Sequence, residues 1–240
     1  MSKRMKTWIA ITLLVTCCAG CSTTSRHPGA HLLPELRPYV NETAHELDKV
    51  APERKEVLNE IARRITQQLD AGQPANLTFI CTHNSRRSHM SQIWAQTAAY
   101  YYGLDGIHAY SGGTETTACN CRTVTAMRHA GFDIQDATTG ENPVYLVRYA
   151  SDRPVIRAYS KVYNSDDNPK TDFIALMTCS VADKSCPIVN GAIARFAIHY
   201  ADPRVCDDLP TETAAYNERC QEIAHEMFWI MAEVKRQHRR

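Results

Sequence analysis

The sequence has almost no excess of charge of either sign. Its 240 residues include 27 Lys and Arg against 26 Asp and Glu, which leaves a formal net charge of +1 at pH 7. Proteins that bind nucleic acid carry a basic surface that neutralises many phosphates, so we expect no nucleic-acid partner. The composition, with 44% hydrophobic and 22% charged residues, is otherwise that of an ordinary globular protein with one sizeable core.

The sequence also lacks the long apolar run of a membrane-spanning helix. The apolar run near the N-terminus, residues 8–15, is much shorter than the roughly 20 residues that a spanning helix needs. Lys3, Arg4 and Lys6 precede this run, and small residues follow it. This arrangement is typical of a secretory signal peptide.

The end of the signal, Cys18-Ala19-Gly20-Cys21, resembles a bacterial lipoprotein signal. The resemblance implies that Cys21 is lipidated and becomes the first residue of the mature chain, and that Ser22 directs the protein to the outer membrane. The alternative is cleavage and release without an anchor. We therefore expect a monomer that is lipid-anchored in the bacterial cell envelope and faces the periplasm.

Composition divides the chain into three predicted segments. Residues 1–21 are the lipoprotein signal peptide with its lipidation site. Residues 22–50 are predicted as a tether, because the chain from residue 22 to about residue 36 is polar and rich in Ser, Thr, Pro and Gly. Residues 51–240 are predicted as the catalytic domain, with an insertion at residues 140–170.

Cysteines are frequent, which is informative in an exported protein because its compartment is oxidising. Of the ten cysteines, three lie in the signal peptide, and the remaining seven cannot all pair with one another. Cys119-Asn120-Cys121 could bind zinc, or could form a structural disulfide with Cys206 as a further candidate partner. This spacing is a weak metal signal, and no second pair stands at ligand spacing. We expect no metal and no cofactor.

One motif carries chemistry on its own: Cys81, any five residues, then Arg87-Ser88, directly after an apolar run at residues 77–80. A short loop between a strand and a helix N-terminus turns successive N–H groups inward, and the helix end adds partial positive charge. The helix dipole and Arg87 both favour the thiolate of Cys81. Arg87 can grip two oxygens of a tetrahedral anion, and Ser88 can donate to the sulfur.

This motif predicts a cysteine nucleophile, Cys81, inside an oxyanion-binding loop. The alternative is an ordinary buried cysteine beside a solvated arginine. The residues that we expect to surround the oxyanion are Thr82, His83, Asn84, Ser85, Arg86, Arg87 and Ser88.

Periodicity predicts alternating strands and helices along the folded part. Strands are predicted at residues 77–81, 107–111, 172–178 and 195–200, and helices at residues 52–70, 88–102, 120–129 and 211–235. The alternation predicts an α/β three-layer sandwich with a central parallel sheet covered on both faces. Two β-like runs, residues 144–149 and 155–159, predict an inserted β hairpin or flap.

Two further cysteines accompany the sheet edge at which Cys81 is expected. Cys179 follows the predicted strand 172–178, and Cys186 comes after a short polar stretch. Ligands of such sheets bind beyond the carboxyl ends of the strands, so Cys81 and Cys179 should share that edge. A nucleophilic, an attacking and a resolving thiol on a mobile loop suit a disulfide relay.

Several segments together resemble the thioredoxin-coupled arsenate reductases, which share the fold of the low-molecular-weight protein tyrosine phosphatases. The resemblance covers roughly residues 76–237. The phosphatases share the loop and the Asp-Pro pair but generally lack the two later cysteines, which favours the reductases. The matching segments, in chain order, are residues 81–88, 109–115, 127–132 and 179–187, and Asp202-Pro203.

The resemblance implies a role for each matching residue. Cys81 is the nucleophile, Arg87 clamps the oxyanion, and Asp202 is the general acid that protonates the leaving oxygen. Cys179 and Cys186 form the relay.

The resemblance also assigns roles within the loop. Asn84 and Ser88 stabilise it. His83 stands where family members usually have Gly, which predicts a positive φ at that position.

The leading prediction is an enzyme that reduces arsenate to arsenite, with a periplasmic thioredoxin-like protein as its reductant. The first alternative is a protein tyrosine phosphatase or small phosphomonoesterase that acts on a phosphate ester, with Cys179 and Cys186 as an inert bridge. The second alternative is a lipoprotein that binds oxyanions or senses redox state without turnover.

Overall fold

The computed structural model describes residues 29–238. The predicted signal peptide, the lipidation site Cys21 and the first part of the predicted tether lie outside the described residues. No helix within residues 29–238 combines the length and the apolar character needed to cross a bilayer.

The elements, in chain order, are α1 (Arg37–His45), a 3-10 turn (Leu47–Lys49), α2 (Pro52–Asp70), β1 (Ala75–Cys81), α3 (Arg87–Tyr101), β2 (Ile107–Gly113), α4 (Cys121–His129), β3 (Asp133–Asp136), β4 (Tyr145–Arg148), β5 (Ile156–Ala158), β6 (Phe173–Met177), α5 (Ser180–Ser185), β7 (Ala192–Ala197), a 3-10 turn (Pro203–Cys206) and α6 (Glu212–His238).

The central sheet has the strand order β2-β1-β6-β7, and each neighbouring pair is parallel. Successive side chains of a strand point to opposite faces. Leu77 and Phe79 of β1 accordingly pack into the main core, whereas Ile80 joins a second apolar cluster with Met177 of β6. Burial on both faces explains why these strands are continuous apolar runs. The prediction of an α/β three-layer fold with a parallel sheet is confirmed.

Helices cover the main core on one face of this sheet. α6 packs against α2, α3 and α4. Trp94, at the centre of α3, is fully buried and contacts the rings of Tyr39, Phe132 and Phe228. The short helix α5 packs against β1 and β6, and its Ala182 belongs to the second apolar cluster.

A small antiparallel sheet, with the order β3-β4-β5, stands beside the parallel sheet. The predicted hairpin corresponds to β4 and β5, which pair antiparallel. A further strand, β3, which periodicity did not predict, precedes the insertion and pairs with β4. Tyr145, Val147 and Ala158 of the hairpin are buried in the main core. The hairpin is therefore part of the packed domain rather than a free flap.

The predicted tether at residues 22–50 needs correction from residue 29 onward. Leu32, Leu36 and Val40 recur every four residues and are buried in the main core, as is Val50. The amide of Leu33 also donates to the carbonyl of Tyr149, at 3.0 Å. Only Val40 of these three lies in α1, and Leu32 forms a β-bridge with Ala150, but all of them bury their side chains, so this segment folds onto the domain. The polar composition of the stretch concealed that spacing.

Replacing Leu36 with Ala tests this correction. Since Leu36 is fully buried, the change should lower the free energy of unfolding by about 2–5 kcal/mol, measured by denaturant titration. Glu35→Ala is the matched control, because the side chain of Glu35 is exposed. Equal free energies of unfolding for the two variants would contradict this correction and favour the predicted tether.

Candidate active site

The Cys-x5-Arg-Ser segment forms the turn from β1 into α3. Cys81 is the last residue of β1, and Arg87 is the first residue of α3. The thiol of Cys81 is buried and Ser88 is fully buried. Among the described residues, no protein group accepts a hydrogen bond from the backbone amides of Thr82 to Arg86. Those amides and the N-terminus of a 15-residue helix together can bind an anion.

The positive φ in this loop belongs to Asn84, at 44°, and the prediction that His83 would hold it is wrong. Asn tolerates the left-handed region because its short polar side chain can hydrogen-bond locally. The backbone amide of Lys161 donates to Asn84 Oδ1 at 3.0 Å. Asn84 Nδ2 then faces Ser88 and donates to its Oγ at 2.9 Å.

The hydroxyl of Ser88 links Asn84 to the sulfur of Cys81. Its Oγ lies 3.1 Å from Cys81 Sγ. Because Oγ already accepts a hydrogen bond from Asn84, its own proton is free to be donated to the sulfur. A donated proton favours the thiolate, since hydrogen bonds to a charged acceptor are stronger than neutral ones. The arrangement suits a nucleophilic cysteine.

Arg87 joins the loop to the segment around Asp202. Its Nη2 donates to Asp202 Oδ2 at 2.6 Å, and its Nη1 donates to the carbonyl of Tyr200 at 2.9 Å. Arg87 Nε is buried, and no acceptor within residues 29–238 bonds to it. The guanidinium therefore retains an unused N–H donor.

Both carboxylate oxygens of Asp202, the predicted general acid, are held by hydrogen bonds. Its Oδ1 accepts a hydrogen bond from the amide of Arg204 at 3.1 Å and so caps the 3-10 turn that follows. Its other oxygen is held by Arg87. The structure thus brings Asp202 to Arg87, a residue of the loop that follows Cys81, although the two lie 115 positions apart in the sequence.

Cys179 reaches the catalytic loop from the end of β6. Its Sγ lies 3.4 Å from Thr82 Oγ1 and accepts from the amide of Ala182 at 3.4 Å, so it caps α5. Cys186 is half-buried at the other end of α5. Both cysteines contact the apolar cluster that contains Cys81. The predicted relay residues therefore lie beside the predicted nucleophile.

The remaining loop side chains do not surround the sulfur. His83 lies at the surface, with Nε2 3.7 Å from Glu115 Oε2. The carbonyl of Ser85 accepts from the amide of Asn120 at 2.9 Å. Arg86 bonds to Tyr216 in α6, at 2.8 Å. These three residues contribute backbone to the loop and use their side chains or carbonyls elsewhere.

Residues outside the motif support the loop, and the sequence did not predict them. Ser160 Oγ donates to the carbonyl of His83 at 2.8 Å, next to the Lys161 amide that holds Asn84. A Cβ on Gly113 would lie 2.7 Å from the Thr82 carbonyl oxygen, so only glycine permits this approach. The glycine pair at the end of β2 could have indicated a close approach of two backbone segments. No local pattern in the sequence indicates that Ser160 supports the loop.

The other cysteines form no disulfide with one another. All seven cysteines in the described part of the chain are free, which removes the structural disulfide considered for Cys119, Cys121 and Cys206. Burial raises the pKa of Cys119 to about 12 and that of Cys220 to about 11, so both remain neutral thiols near pH 7. No group of three His, Cys, Asp or Glu side chains within residues 29–238 forms a metal site.

Replacing Ser88 with Ala tests the contact with the sulfur. Because a hydrogen bond to a charged group is worth about 1.5–3 kcal/mol, the alkylation rate of Cys81 at pH 7 should fall roughly tenfold or more. The reduced protein is treated with iodoacetamide and the Cys81 peptide is followed by mass spectrometry. Ser91→Ala is the matched control, since Ser91 is equally buried in α3 but bonds to the Arg87 carbonyl. Equal rates in the two variants would contradict the assignment.

Comparison with known proteins places the chain in a family. The family model described as low molecular weight phosphotyrosine protein phosphatase matches residues 76–142. An arsenate reductase of Brevibacillus brevis is 31% identical over 125 residues, which cover 52% of this chain and 74% of that protein. Arsenate reductase 2 of Staphylococcus epidermidis is 27% identical over 150 residues, covering 59% of this chain and 95% of the relative.

A solved structure of a low molecular weight protein tyrosine phosphatase from T. tengcongensis superposes with a TM-score of 0.46 and 16% identity, covering 66% of this chain and 98% of that one. The similarity of sequence, together with the cysteine, arginine and aspartate at one site, makes this protein a thiolate-dependent oxyanion enzyme. The chain belongs to the superfamily that the arsenate reductases share with the low-molecular-weight protein tyrosine phosphatases.

Proposed function

We propose that this enzyme reduces arsenate to arsenite through a relay of Cys81, Cys179 and Cys186. The observation that carries the proposal is the 3.4 Å contact between Cys179 Sγ and Thr82 Oγ1. It puts a second thiol against the loop that follows the nucleophile. A phosphatase requires no second thiol there. The arsenate reductases among the relatives agree with this reading.

The first step is attack of the Cys81 thiolate on arsenic. An S–As bond forms and an As–O bond breaks, with Asp202 donating a proton so that the oxygen leaves as water. The loop amides and Arg87 hold the remaining oxygens. Arg87 must then share its Nη2 between the oxyanion and Asp202.

The next two steps transfer electrons. The Cys179 thiolate attacks Cys81 Sγ, an S–S bond forms, and the S–As electron pair passes to arsenic, which is reduced from As(V) to As(III) and leaves as arsenite. The Cys186 thiolate then attacks Cys179, which releases Cys81 as a thiolate and leaves a Cys179–Cys186 disulfide. An external dithiol of the thioredoxin type reduces that disulfide and restores the enzyme.

The last exchange requires α5 to change shape. Residues seven apart in a helix are separated by about 10 Å along the axis, whereas a disulfide needs Cα atoms about 4.4–6.8 Å apart. Cys179 and Cys186 bracket α5, so the helix must unwind before they pair. Arg195 opposes unwinding, since it binds the Asp183 carboxylate and donates to the Cys186 carbonyl at 3.1 Å.

We also place this reaction in the bacterial cell envelope. The N-terminal sequence supports that location through its lipoprotein-like Cys21. The reductant would then be a thioredoxin-like protein of the periplasm.

Replacing Cys179 with Ser tests the relay. Ser is a good helix N-cap, so α5 should be retained while the second thiol is lost. In the presence of excess dithiol, steady arsenite formation should fall by roughly a hundredfold or more, because the Cys81 adduct is no longer resolved. Arsenite is measured by chromatography with arsenic detection.

Two comparisons make the result decisive. Cys121→Ser, at an exposed cysteine outside the relay, should keep the wild-type rate. The Cys179→Ser variant should still hydrolyse an aryl phosphate at the wild-type rate if the protein has that activity, since Cys81, Arg87 and Asp202 are unchanged. Sustained arsenite production by Cys179→Ser would contradict the relay. Aryl phosphate hydrolysis without any arsenite from the wild type would favour the phosphatase.

A further inference from the structure

Arg86 sends its side chain away from the catalytic loop toward the segment that carries Asp202. Its Nε donates to Tyr216 Oη at 2.8 Å, and its Nη2 donates to Asp207 Oδ2 at 3.4 Å. Tyr216 Oη donates in turn to Asp207 Oδ1 at 2.8 Å. The three side chains thus form a closed triangle of hydrogen bonds between the loop, α6 and Asp207.

The segment from Asp202 to Asp207, called here the acid loop, is held at both ends by adjacent arginines. Arg87 binds Asp202, which precedes the 3-10 turn, and Arg86 binds Asp207, which follows it. Between these ends, Pro203 is buried but Val205 is 80% exposed. Apart from Pro203, the acid loop is held mainly by polar contacts at its two ends, where Arg122 Nε also lies 3.9 Å from Asp207 Oδ1.

The Arg87–Asp202 and Arg86–Asp207 contacts differ in whether the reaction needs the arginine for another purpose. Arg87 is also the clamp for the oxyanion, so its bond to Asp202 must be shared or given up when the anion binds. Arg86 has no such second task, because its hydrogen bonds go to Tyr216 and Asp207, away from Cys81. The Arg86 attachment therefore persists at the moment when Asp202 must deliver its proton.

The second attachment is also well shielded. The side chains of Arg86 and Asp207 are 12% and 19% exposed, and Tyr216 is buried in the main core. Burial is the largest cause that raises the pKa of Tyr216, to about 12. The phenol therefore keeps its proton near pH 7 and can donate to Asp207 while it accepts from Arg86.

We propose that Arg86, through Tyr216 and Asp207, is a positioning residue that holds Asp202 over Cys81 while Arg87 grips the oxyanion. The inference rests on the proposed function only in taking Asp202 as the general acid for attack by Cys81.

Aryl phosphates provide the test, because they report on the acid without the relay. Phosphorus passes from the ester oxygen to Cys81 Sγ, and the departing phenol oxygen takes a proton from Asp202. Water then cleaves the P–S bond and releases phosphate. An acidic nitrophenol leaves readily without a proton, whereas an unsubstituted phenol needs one. Loss of acid positioning therefore slows phenyl phosphate far more than p-nitrophenyl phosphate.

For Arg86→Met we expect kcat/KM for phenyl phosphate to fall roughly 10–100-fold, while kcat/KM for p-nitrophenyl phosphate, which likewise reports the step in which the phenol leaves, changes less than about threefold. KM for both esters should stay within about twofold, because Arg87 and the loop amides still bind the oxyanion. Asp202→Asn supplies the reference pattern. Arg204→Met, an exposed side chain of the acid loop, is the matched control and should follow the wild type.

Tyr216→Phe keeps the buried ring and removes only the hydroxyl, so it tests the same triangle if Arg86→Met does not fold. It should show the same contrast between the two esters, to a smaller extent. Equal losses for both esters in the Arg86 and Tyr216 variants, or no loss for either, would overturn the inference. Turnover of neither ester by the wild type would overturn it as well. Failure of the proposed reduction appears separately, as absence of arsenite from the wild type with arsenate and dithiol.

Discussion

The hydrogen bonds of the Asn84 carboxamide determine the geometry of the whole site. The Lys161 amide can only donate, so it fixes Oδ1 as the acceptor and leaves Nδ2 to donate to Ser88. Ser88 must then direct its proton toward Cys81. Three hydrogen bonds in series thus have one direction, and each strengthens the next in a buried environment. The cost is a left-handed backbone at Asn84, which Asn tolerates better than most residues.

The inserted segment belongs to the scaffold of the site. Ser160 and Lys161 follow the hairpin and bind the backbone of His83 and the side chain of Asn84. In this position the side chain of Lys161 is buried, and burial lowers its pKa to about 8. A segment that looks like an addition to the fold in sequence therefore supports the catalytic loop.

The part of the site that the proposed chemistry requires to move, α5, is held largely by ion pairs. Asp183, Arg195 and His199 join α5 to β7 and the chain after it. These side chains are partly exposed, and such pairs are weaker than buried packing. Elements with few buried apolar contacts open locally at low cost. The six-residue helix α5 is such an element, and the proposed relay needs it to open.

How much the sequence predicts depends on how far apart the interacting residues are. Apolar runs predicted β1 and β6, because a strand buried on both faces shows its burial in every residue. The loop motif predicted Cys81, Arg87 and Ser88, because their spacing is local. The segment near Leu36 was misread as a tether, since its partners lie in α3 and α6. The hairpin was found, but its role beside Asn84 was not.

The sequence by itself determined the nucleophile, the oxyanion loop, the parallel α/β fold and the pair of later cysteines, since each rests on neighbours along the chain. Only the tertiary structure decided which residues fasten that loop. Asn84 and Lys161 are 77 positions apart, and Arg86 and Tyr216 are 130 apart. Such contacts depend on how the sheet and helices pack, because a hydrogen bond between distant residues leaves no periodic trace in either segment.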